Sequence, residues 1–406
     1  MINFPKDFLW GASTSAYQVE GQNSNCDWWR WEKKAGLKDL SGDACRHYDL
    51  FDQDFALARK LNHNAHRLSI EWSRIEPGKG EFSSQEISHY IEVIDSLHRN
   101  ALEPLVTLHH FTNPLWFADS GAWLEKSGVD CFLEYVRRTV EALADKVRYW
   151  ITINEPLVYV YHAYLLGVWP PQESSLRLSL RVVERLLAAH IGAHRIIREI
   201  YRKKNLPFPL IGIAKNMQAF EPCDRGLRTR LGLFLREKYY NYYFLDRLAK
   251  ARAMDFIGLN YYTRSLIEVT SWRPWDLFTQ VCTKGLGQVE KNSLGWDIYP
   301  QGLYRLLVGL KKYKLPVVIT ENGICTQDDQ LRWRFIRDHL KEVSRAIASG
   351  ADVRGYLYWS LLDNFEWDKG FAPRFGMVDM DYATFQRKPR PSAEKFAAVC
   401  KSGTLE

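Results

Sequence analysis

The sequence lacks an apolar segment long enough to cross a membrane, which needs about 18 residues. Its longest apolar stretch runs from Leu157 to Trp169 and is interrupted by His162 and Gly167. The N-terminus also lacks the basic segment and the apolar core of roughly 7–15 residues that mark a secretion signal. These absences exclude a membrane span and favour a cytoplasmic protein.

Paired cysteine motifs are missing as well. The seven cysteines are an odd number, are scattered from Cys26 to Cys400, and include no C-x-x-C pair. This spacing favours free thiols in a reducing compartment over a disulfide framework or a structural zinc site. Neither a metal nor a cofactor is expected.

The surplus of positive charge is small and local. Lysine and arginine number 55 against 48 aspartates and glutamates, a net charge of +7. Residues 225–252 carry eight basic and two acidic side chains, and residues 194–205 carry five and one. Both stretches place apolar residues at helical spacing, so they predict amphipathic helices with solvated basic faces. No nucleic-acid motif accompanies them, and nucleic acid is not expected as a partner.

Short apolar runs alternate with segments of helical period along the whole chain. Eight strand-and-helix units in 406 residues give about 51 residues per unit, which suits a barrel of eight parallel strands. We predict an α/β protein, a single (β/α)8 TIM barrel formed by residues 1–406 as one catalytic domain. The predicted strands are Phe8–Ala16, Ala65–Ile70, Pro104–Leu108, Tyr149–Ile153, Leu210–Ala214, Phe256–Asn260, Pro316–Thr320 and Gly355–Trp359.

Two glutamates stand at the ends of predicted strands. Glu155 follows the fourth strand within the sequence Thr-Ile-Asn-Glu-Pro, and Glu321 follows the seventh within Ile-Thr-Glu-Asn-Gly. In such barrels the chemistry lies where the carboxyl ends of the strands converge, so the two side chains are expected to face each other. A pair of carboxyl groups in this position can cleave a glycosidic bond.

Five separated motifs resemble those of glycoside hydrolase family 1, in the right order. Besides the two glutamate motifs they are Asn3 to Gly21, His66 to Trp72 and Trp359 to Trp367. The resemblance covers essentially the whole chain. It implies a (β/α)8 barrel and the retaining hydrolysis of terminal non-reducing β-D-glucosides, with β-galactosides and β-fucosides left open as further substrates.

The resemblance also implies roles for the residues around the glutamates. Glu321 matches the family nucleophile and Glu155 the general acid/base, with their carboxyl groups expected roughly 5–5.5 Å apart for a retaining enzyme. Arg67 matches the arginine whose charge keeps the nucleophile ionised. Asn260 and Tyr262 match residues that support the two glutamates. The position of Tyr262 matches the family phenol that hydrogen-bonds the nucleophile.

Sugar contacts are implied at seven further positions. Gln18 and Glu366 match residues that bind the 3-, 4- and 6-hydroxyls, and an acidic group there would repel a 6-phosphate. Adjacent His109 and His110 could suggest a metal, but neighbouring residues on a strand point to opposite sides. We interpret His109 as a structural residue. The implied substrate-binding residues are Gln18, His110, Asn154, Trp296, Trp359, Glu366 and Trp367.

Two alternatives to hydrolysis stay open at the level of sequence. A transglycosidase would use the same covalent intermediate and transfer the sugar to an acceptor, and a non-catalytic barrel would only bind carbohydrate. In each case the expected partner is a small β-glycoside or an oligosaccharide, and the oligomeric state is not predicted. The segment 264–293, after the sixth strand, is expected to shape the aglycone side.

Overall fold

Eight parallel strands form a closed barrel in the computed structural model, which describes residues 1–269, 280–282 and 289–406. Each strand pairs with the next one along the chain, and the last pairs with the first, Tyr356 opposite Trp10. The strands are β1 Leu9–Ser13, β2 Ala65–Ser69, β3 Glu103–Thr107, β4 Tyr149–Asn154, β5 Leu210–Asn216, β6 Phe256–Asn260, β7 Val317–Asn322 and β8 Val353–Trp359. All eight predicted strands are confirmed.

A long helix follows each strand and packs on the outside of the barrel, so the predicted (β/α)8 fold is confirmed. The outer helices are α1 His47–Lys60, α2 Ser84–Arg99, α3 Ser127–Leu143, α4 Leu176–Lys203, α5 Leu227–Arg236, α6 Pro300–Leu310, α7 Asp329–Ala348 and α8 Pro391–Ser402. The fifth continues through a π-helical segment, Glu237–Tyr243, into the helix Phe244–Lys250.

Shorter helices and strands lie in the segments that connect the barrel strands and the outer helices, and at the two ends of the chain. Short helices are Ala16–Val19, Asp27–Ala35, Trp72–Ile75, Leu115–Asp119, Ala122–Leu124, Pro156–Val160, Tyr161–Leu165, Lys311–Tyr313 and Trp367–Lys369. Short strands are Ile2–Asn3 with Thr404–Leu405, Val378–Met380 with Arg387–Pro389, and the three-stranded sheet of Ala219–Pro222, Arg264–Glu268 and Gln280–Val281.

The local sequence explains where the helices begin. Ser83 accepts a hydrogen bond from the backbone N–H of Glu86 at the start of α2. Asp328 accepts from two backbone N–H groups at the start of α7. These caps satisfy donors that the first turn of a helix leaves without a partner.

The barrel interior is filled by apolar side chains, one from each of seven strands. They form a separate core cluster inside the ring of strands, and the outer helices pack against the opposite faces. Such a filled interior makes the barrel a rigid frame for residues at its carboxyl end. The cluster consists of Ala65, Leu105, Ile151, Ala214, Phe256, Val318 and Leu357.

One disulfide contradicts the prediction that all seven cysteines are free thiols. Cys223 and Cys282 are bonded, with their Cα atoms 6.5 Å apart. Each follows a strand of the same three-stranded sheet, and that sheet brings together residues 59 positions apart in the chain. Sequence spacing could not reveal this pairing, because the sheet lies outside the barrel repeat. The cysteine count therefore no longer supports a reducing compartment.

Helix length and composition determine whether a helix can cross a membrane. Among residues 1–269, 280–282 and 289–406, no helix combines the length and the apolar character that crossing a bilayer demands.

Arg332 on α7 connects the loops that follow β7 and β8. Its fully buried guanidinium donates to the carbonyls of Ile324 and Phe375 at 3.0 and 3.1 Å. Arg332→Met is expected to lower the free energy of unfolding by about 3 kcal/mol, because buried carbonyls lose their donor. Urea unfolding followed by tryptophan fluorescence measures this change.

The matched control for that variant is Arg334→Met, two residues along the same helix. Arg334 makes an exposed ion pair with Glu290 at 2.6 Å, and such pairs contribute about 0–1 kcal/mol. Equal losses in the two variants would contradict the assigned role of Arg332.

Candidate active site

Polar side chains from four strand ends meet at the carboxyl end of the barrel. Arg67 on β2 donates to Asn154 on β4 at 2.7 Å. Asn260 on β6 donates to the same amide oxygen at 3.2 Å. Arg67 also donates to the Glu321 carboxylate on β7. All four residues are buried, so the network fixes their positions relative to one another.

Glu321 is the carboxyl group that is paired with a cation. Besides its ion pair with Arg67, it accepts a 2.5 Å hydrogen bond from the Tyr262 hydroxyl. Burial raises the pKa of Glu321 above its ordinary value, and the positive charge of Arg67 and the Tyr262 hydroxyl act in the opposite direction. The arginine thus favours the ionised form as predicted, although burial outweighs it.

Glu155 has different partners. It lies directly after β4 with a left-handed backbone, φ 44°, which side-chain-bearing residues seldom adopt and which recurs at functional sites. The amides of Asn260 and Asn216 donate to its Oε1 at 2.8 and 3.1 Å. Burial and the nearby negative charge of Glu321 raise the pKa of Glu155 to about 7. The two glutamates therefore differ in their tendency to hold a proton.

Aromatic rings and a neutral histidine lie beside this pair. His110 Nε2 is 3.0 Å from the Asn154 amide nitrogen. Its ring stacks against Trp359 and Trp367, with centroids 6.1 and 6.0 Å apart. Burial and the charge of Arg67 keep the pKa of His110 well below its usual range. Within the described chain its Nδ1 has no hydrogen-bond partner.

Gln18 and Glu366 meet at the same end of the barrel, where the Gln18 amide donates to the carboxyl at 3.3 Å. Burial and the charge of Glu321 raise the pKa of Glu366 to about 8. The raised pKa favours the protonated, uncharged form of Glu366, so its own repulsion of a 6-phosphate is weaker than the sequence alone suggested. Asp368 and Glu155 add further negative charge nearby.

Trp296 lies at the rim. It is about one-third exposed, and its ring contacts Tyr262 edge-on with centroids 5.9 Å apart. The structure thus brings this residue next to the glutamate network without burying it. Most of the segment expected to shape the aglycone side, residues 270–279 and 283–288, lies outside the described residues.

His109, the neighbour of His110, faces the helices. Its Nε2 lies 3.1 Å from Asn113 Oδ1, and its ring packs against Trp123 and Tyr159. This agrees with the structural role that we assigned to it. Across the part of the chain that the structure describes, no three histidine, cysteine or acidic side chains are grouped to hold a metal ion.

Three residues around Glu155 were missed in the sequence. Asn216 and Lys215 belong to β5, and Tyr240 donates to the Asn216 side chain at 2.8 Å. The predicted fifth strand ended at Ala214, because the apolar run ends there. Lys215 and Asn216 directly follow that apolar run, and this was the available signal. Glu155 had been found in the same way, as a polar residue at the end of a strand.

The fold and these contacts define a class of protein. Two buried glutamates with different protonation preferences lie at the strand ends of one barrel, among amides, aromatic rings and a neutral histidine. Sugar-cleaving barrel enzymes have this combination, with one carboxyl group that can attack and one that can give a proton.

Comparison with known proteins identifies the family. The sequence profile of glycosyl hydrolase family 1 matches residues 1–252 and 245–404. β-Glucosidase A of Thermotoga maritima is 32% identical over 451 residues, covering 99% of each chain. The chain belongs to glycosyl hydrolase family 1, and it is a glycosyl hydrolase.

Solved structures agree with this assignment. A β-glycosidase from Pyrococcus horikoshii matches with a TM-score of 0.93 and 39% identity, covering 100% of this chain and 96% of that one. The β-glucosidase from Thermotoga maritima in complex with glucoimidazole matches with a TM-score of 0.92 and 30% identity, covering 100% of both chains.

Proposed function

We propose that residues 1–406 form one catalytic domain that hydrolyses neutral β-D-glucosides with retention of configuration. The observation that carries this proposal is the unequal environment of the two glutamates. Glu321 has a cationic partner in Arg67, whereas the donors at hydrogen-bond distance from Glu155 are, among the described residues, two amides, and its pKa is raised to about 7. One group is suited to attack and the other to transfer a proton.

In the first step the Glu321 carboxylate attacks the anomeric carbon and forms a glycosyl ester. The bond to the leaving oxygen breaks, and Glu155 gives its proton to that oxygen. Arg67 and Tyr262 orient the attacking carboxylate through their hydrogen bonds. Negative charge leaves Glu321 as the ester forms.

In the second step water attacks the same carbon and releases Glu321 as a carboxylate. Glu155, now ionised, takes a proton from that water and returns to its starting state. Loss of the Glu321 charge in the intermediate lowers the proton affinity of Glu155, since that charge helps to raise its pKa. When the negative charge of Glu321 returns, the proton affinity of Glu155 rises again, and Glu155 can act as the acid in the next cycle.

The glycone is bound by the residues that meet beside the glutamates. Asn154 is placed to bind the 2-hydroxyl, and His110, whose Nε2 lies 3.0 Å from the Asn154 amide nitrogen, is placed to bind a neighbouring hydroxyl. Gln18 and Glu366 bind the far hydroxyls, while Trp359 and Trp367 provide flat apolar surfaces. The proposed occupant is a neutral sugar, because Glu321, Asp368 and Glu155 place negative charge around Glu366 and would repel a phosphate there.

Aryl β-glycosides of the gluco, galacto, fuco, manno and 6-phospho series test this proposal. We expect the gluco series to be cleaved fastest, and proton NMR at early times to show the β-anomer of the released sugar. Initial release of the α-anomer would contradict retention, and a preference for 6-phospho substrates would contradict the neutral glycone. Products formed with an added alcohol measure transglycosylation.

The activity is expected to fall as the pH rises through about 7. Glu155 must start protonated, and its raised pKa of about 7 means that the active form is lost above that pH. The pH profile of kcat/KM for an alkyl β-glucoside measures this limb. A 2,4-dinitrophenyl glucoside, whose leaving group needs little protonation, is expected to show a weaker limb. Equal limbs for the two substrates would contradict the role of Glu155.

A further inference from the structure

Lys215 is a buried cation on the strand that faces Glu155. It lies on β5, has no exposed surface, and immediately precedes Asn216. Its ammonium donates to the Asn216 carbonyl and lies 4.5 Å from the centroid of the Tyr240 ring. No carboxylate of the described residues comes within ion-pair distance of it.

A continuous set of contacts joins this lysine to the acid. The Tyr240 hydroxyl donates to the Asn216 amide oxygen at 2.8 Å, and the Asn216 amide nitrogen donates to Glu155 at 3.1 Å. The two charges also act on each other directly. Burial lowers the pKa of Lys215 to about 7 while Glu155 raises it, and Lys215 lowers the pKa of Glu155.

The position is costly for a lysine. Burying an ammonium without a contacting carboxylate destabilises the folded chain, and an apolar side chain of similar size would avoid that cost. The lysine cannot extend its charged end into solvent, because none of the residue is exposed. Packing alone therefore gives no reason for this charge.

We propose that Lys215 is a positioning residue for the general acid, whose ammonium stabilises the Glu155 carboxylate formed when the leaving oxygen is protonated. This inference rests on the proposed role of Glu155. In the first step the lysine makes Glu155 a stronger acid, which matters most for leaving groups that depart poorly. In the second step it makes the carboxylate a weaker base, so its benefit is expected in kcat/KM, which reports the cleavage step.

The other groups with the largest influence on Glu155 are acidic or neutral. Glu321 raises its pKa, and the amides of Asn260 and Asn216 lower it. On the remaining sides Glu155 interacts with Tyr240, Tyr262 and Glu366, which are neutral or acidic. Arg67 is also a cation of this network, but its charge is paired with Glu321. Removal of the Lys215 charge is therefore expected to raise the pKa of Glu155.

Lys215→Met tests the inference in the full-length enzyme. For an alkyl β-glucoside below about pH 6, where the acid is protonated in both enzymes, kcat/KM is expected to fall by roughly three- to tenfold. For a 2,4-dinitrophenyl glucoside it should change little, because its leaving group needs little protonation. The alkaline limb of the pH profile is expected to move up by roughly one pH unit as the acid becomes weaker. The variant is also expected to melt at a higher temperature.

Two further variants make the result decisive. Lys215→Gln retains a donor for the Asn216 carbonyl but not the charge, so it should reproduce the shifted limb even if the methionine variant folds poorly. Lys312→Met removes another lysine that lies over a tyrosine ring, 3.9 Å from the centroid of Tyr242, and should change neither readout.

Equal losses for both substrates with an unmoved limb would overturn the inference. That result would not contradict the proposed function, provided that Glu155→Ala still removes the alkaline limb of the pH profile. If Glu155→Ala cleaves alkyl glucosides as fast as the wild type, the role of Glu155 itself fails. The two failures are therefore distinguishable in one set of measurements.

Discussion

Replacing Glu321 with glycine is expected to lower kcat for an aryl β-glucoside by roughly 10⁴-fold or more, because the first covalent bond can no longer form. The substitution removes the attacking carboxylate and leaves the general acid in place. Glu155 is expected to keep its two amide donors in this variant, since Asn216 lies on β5 and Asn260 is also held by its contact with Asn154. Steady-state release of the aryl alcohol measures the effect.

Added azide provides the sharper test of Glu321. The deleted side chain leaves room on its face of the sugar, and azide bound there would attack the anomeric carbon while Glu155 protonates the leaving oxygen. Azide would thus restore turnover and give the α-glycosyl azide, with inverted configuration. A β-glycosyl azide, or turnover near the wild-type rate without azide, would contradict the assignment.

A matched control separates chemistry from stability in that experiment. Glu290→Gly removes an exposed glutamate whose partner is Arg334, and it should leave the turnover unchanged. Glu321→Gly leaves Arg67 buried without its carboxylate, so some loss of stability is expected as well. Activity is therefore compared at a temperature where circular dichroism shows both variants to be folded.

Much of the site could be predicted from the sequence because one geometric rule applied. In a parallel barrel the strand ends meet at one face, so residues such as Arg67, Glu155 and Glu321 are brought together despite wide separation in the chain. The eight apolar runs located those ends to within a few residues. The family motifs then assigned expected roles that spacing alone could not supply.

Two of the remaining features depend on tertiary contacts that no local pattern encodes. The Cys223–Cys282 bond requires the extra sheet outside the barrel repeat. The high proton affinity of Glu366 results from burial and from the charge of Glu321, neither of which is visible in the motif. Lys215 was missed because a charged residue after a short apolar run ordinarily marks the solvent-exposed end of a strand.

Replacing Glu155 with alanine is expected to lower kcat/KM for an alkyl β-glucoside by roughly 10²–10⁴-fold, the usual contribution of a general acid. A 2,4-dinitrophenyl glucoside should lose much less in the first step, because its leaving group departs without a proton. Hydrolysis of the intermediate is slowed for both, since no base activates the water. The activated substrate should therefore show a burst of dinitrophenol followed by slow turnover.

Azide distinguishes the two glutamates by the configuration of the product. In Glu155→Ala, Glu321 still forms the intermediate, and azide attacks it without needing a base. Turnover of the dinitrophenyl glucoside should rise with azide concentration and give the β-glycosyl azide, the opposite anomer from that of Glu321→Gly. The same anomer from both variants would contradict the division of roles, because one carboxyl group must then act in both steps.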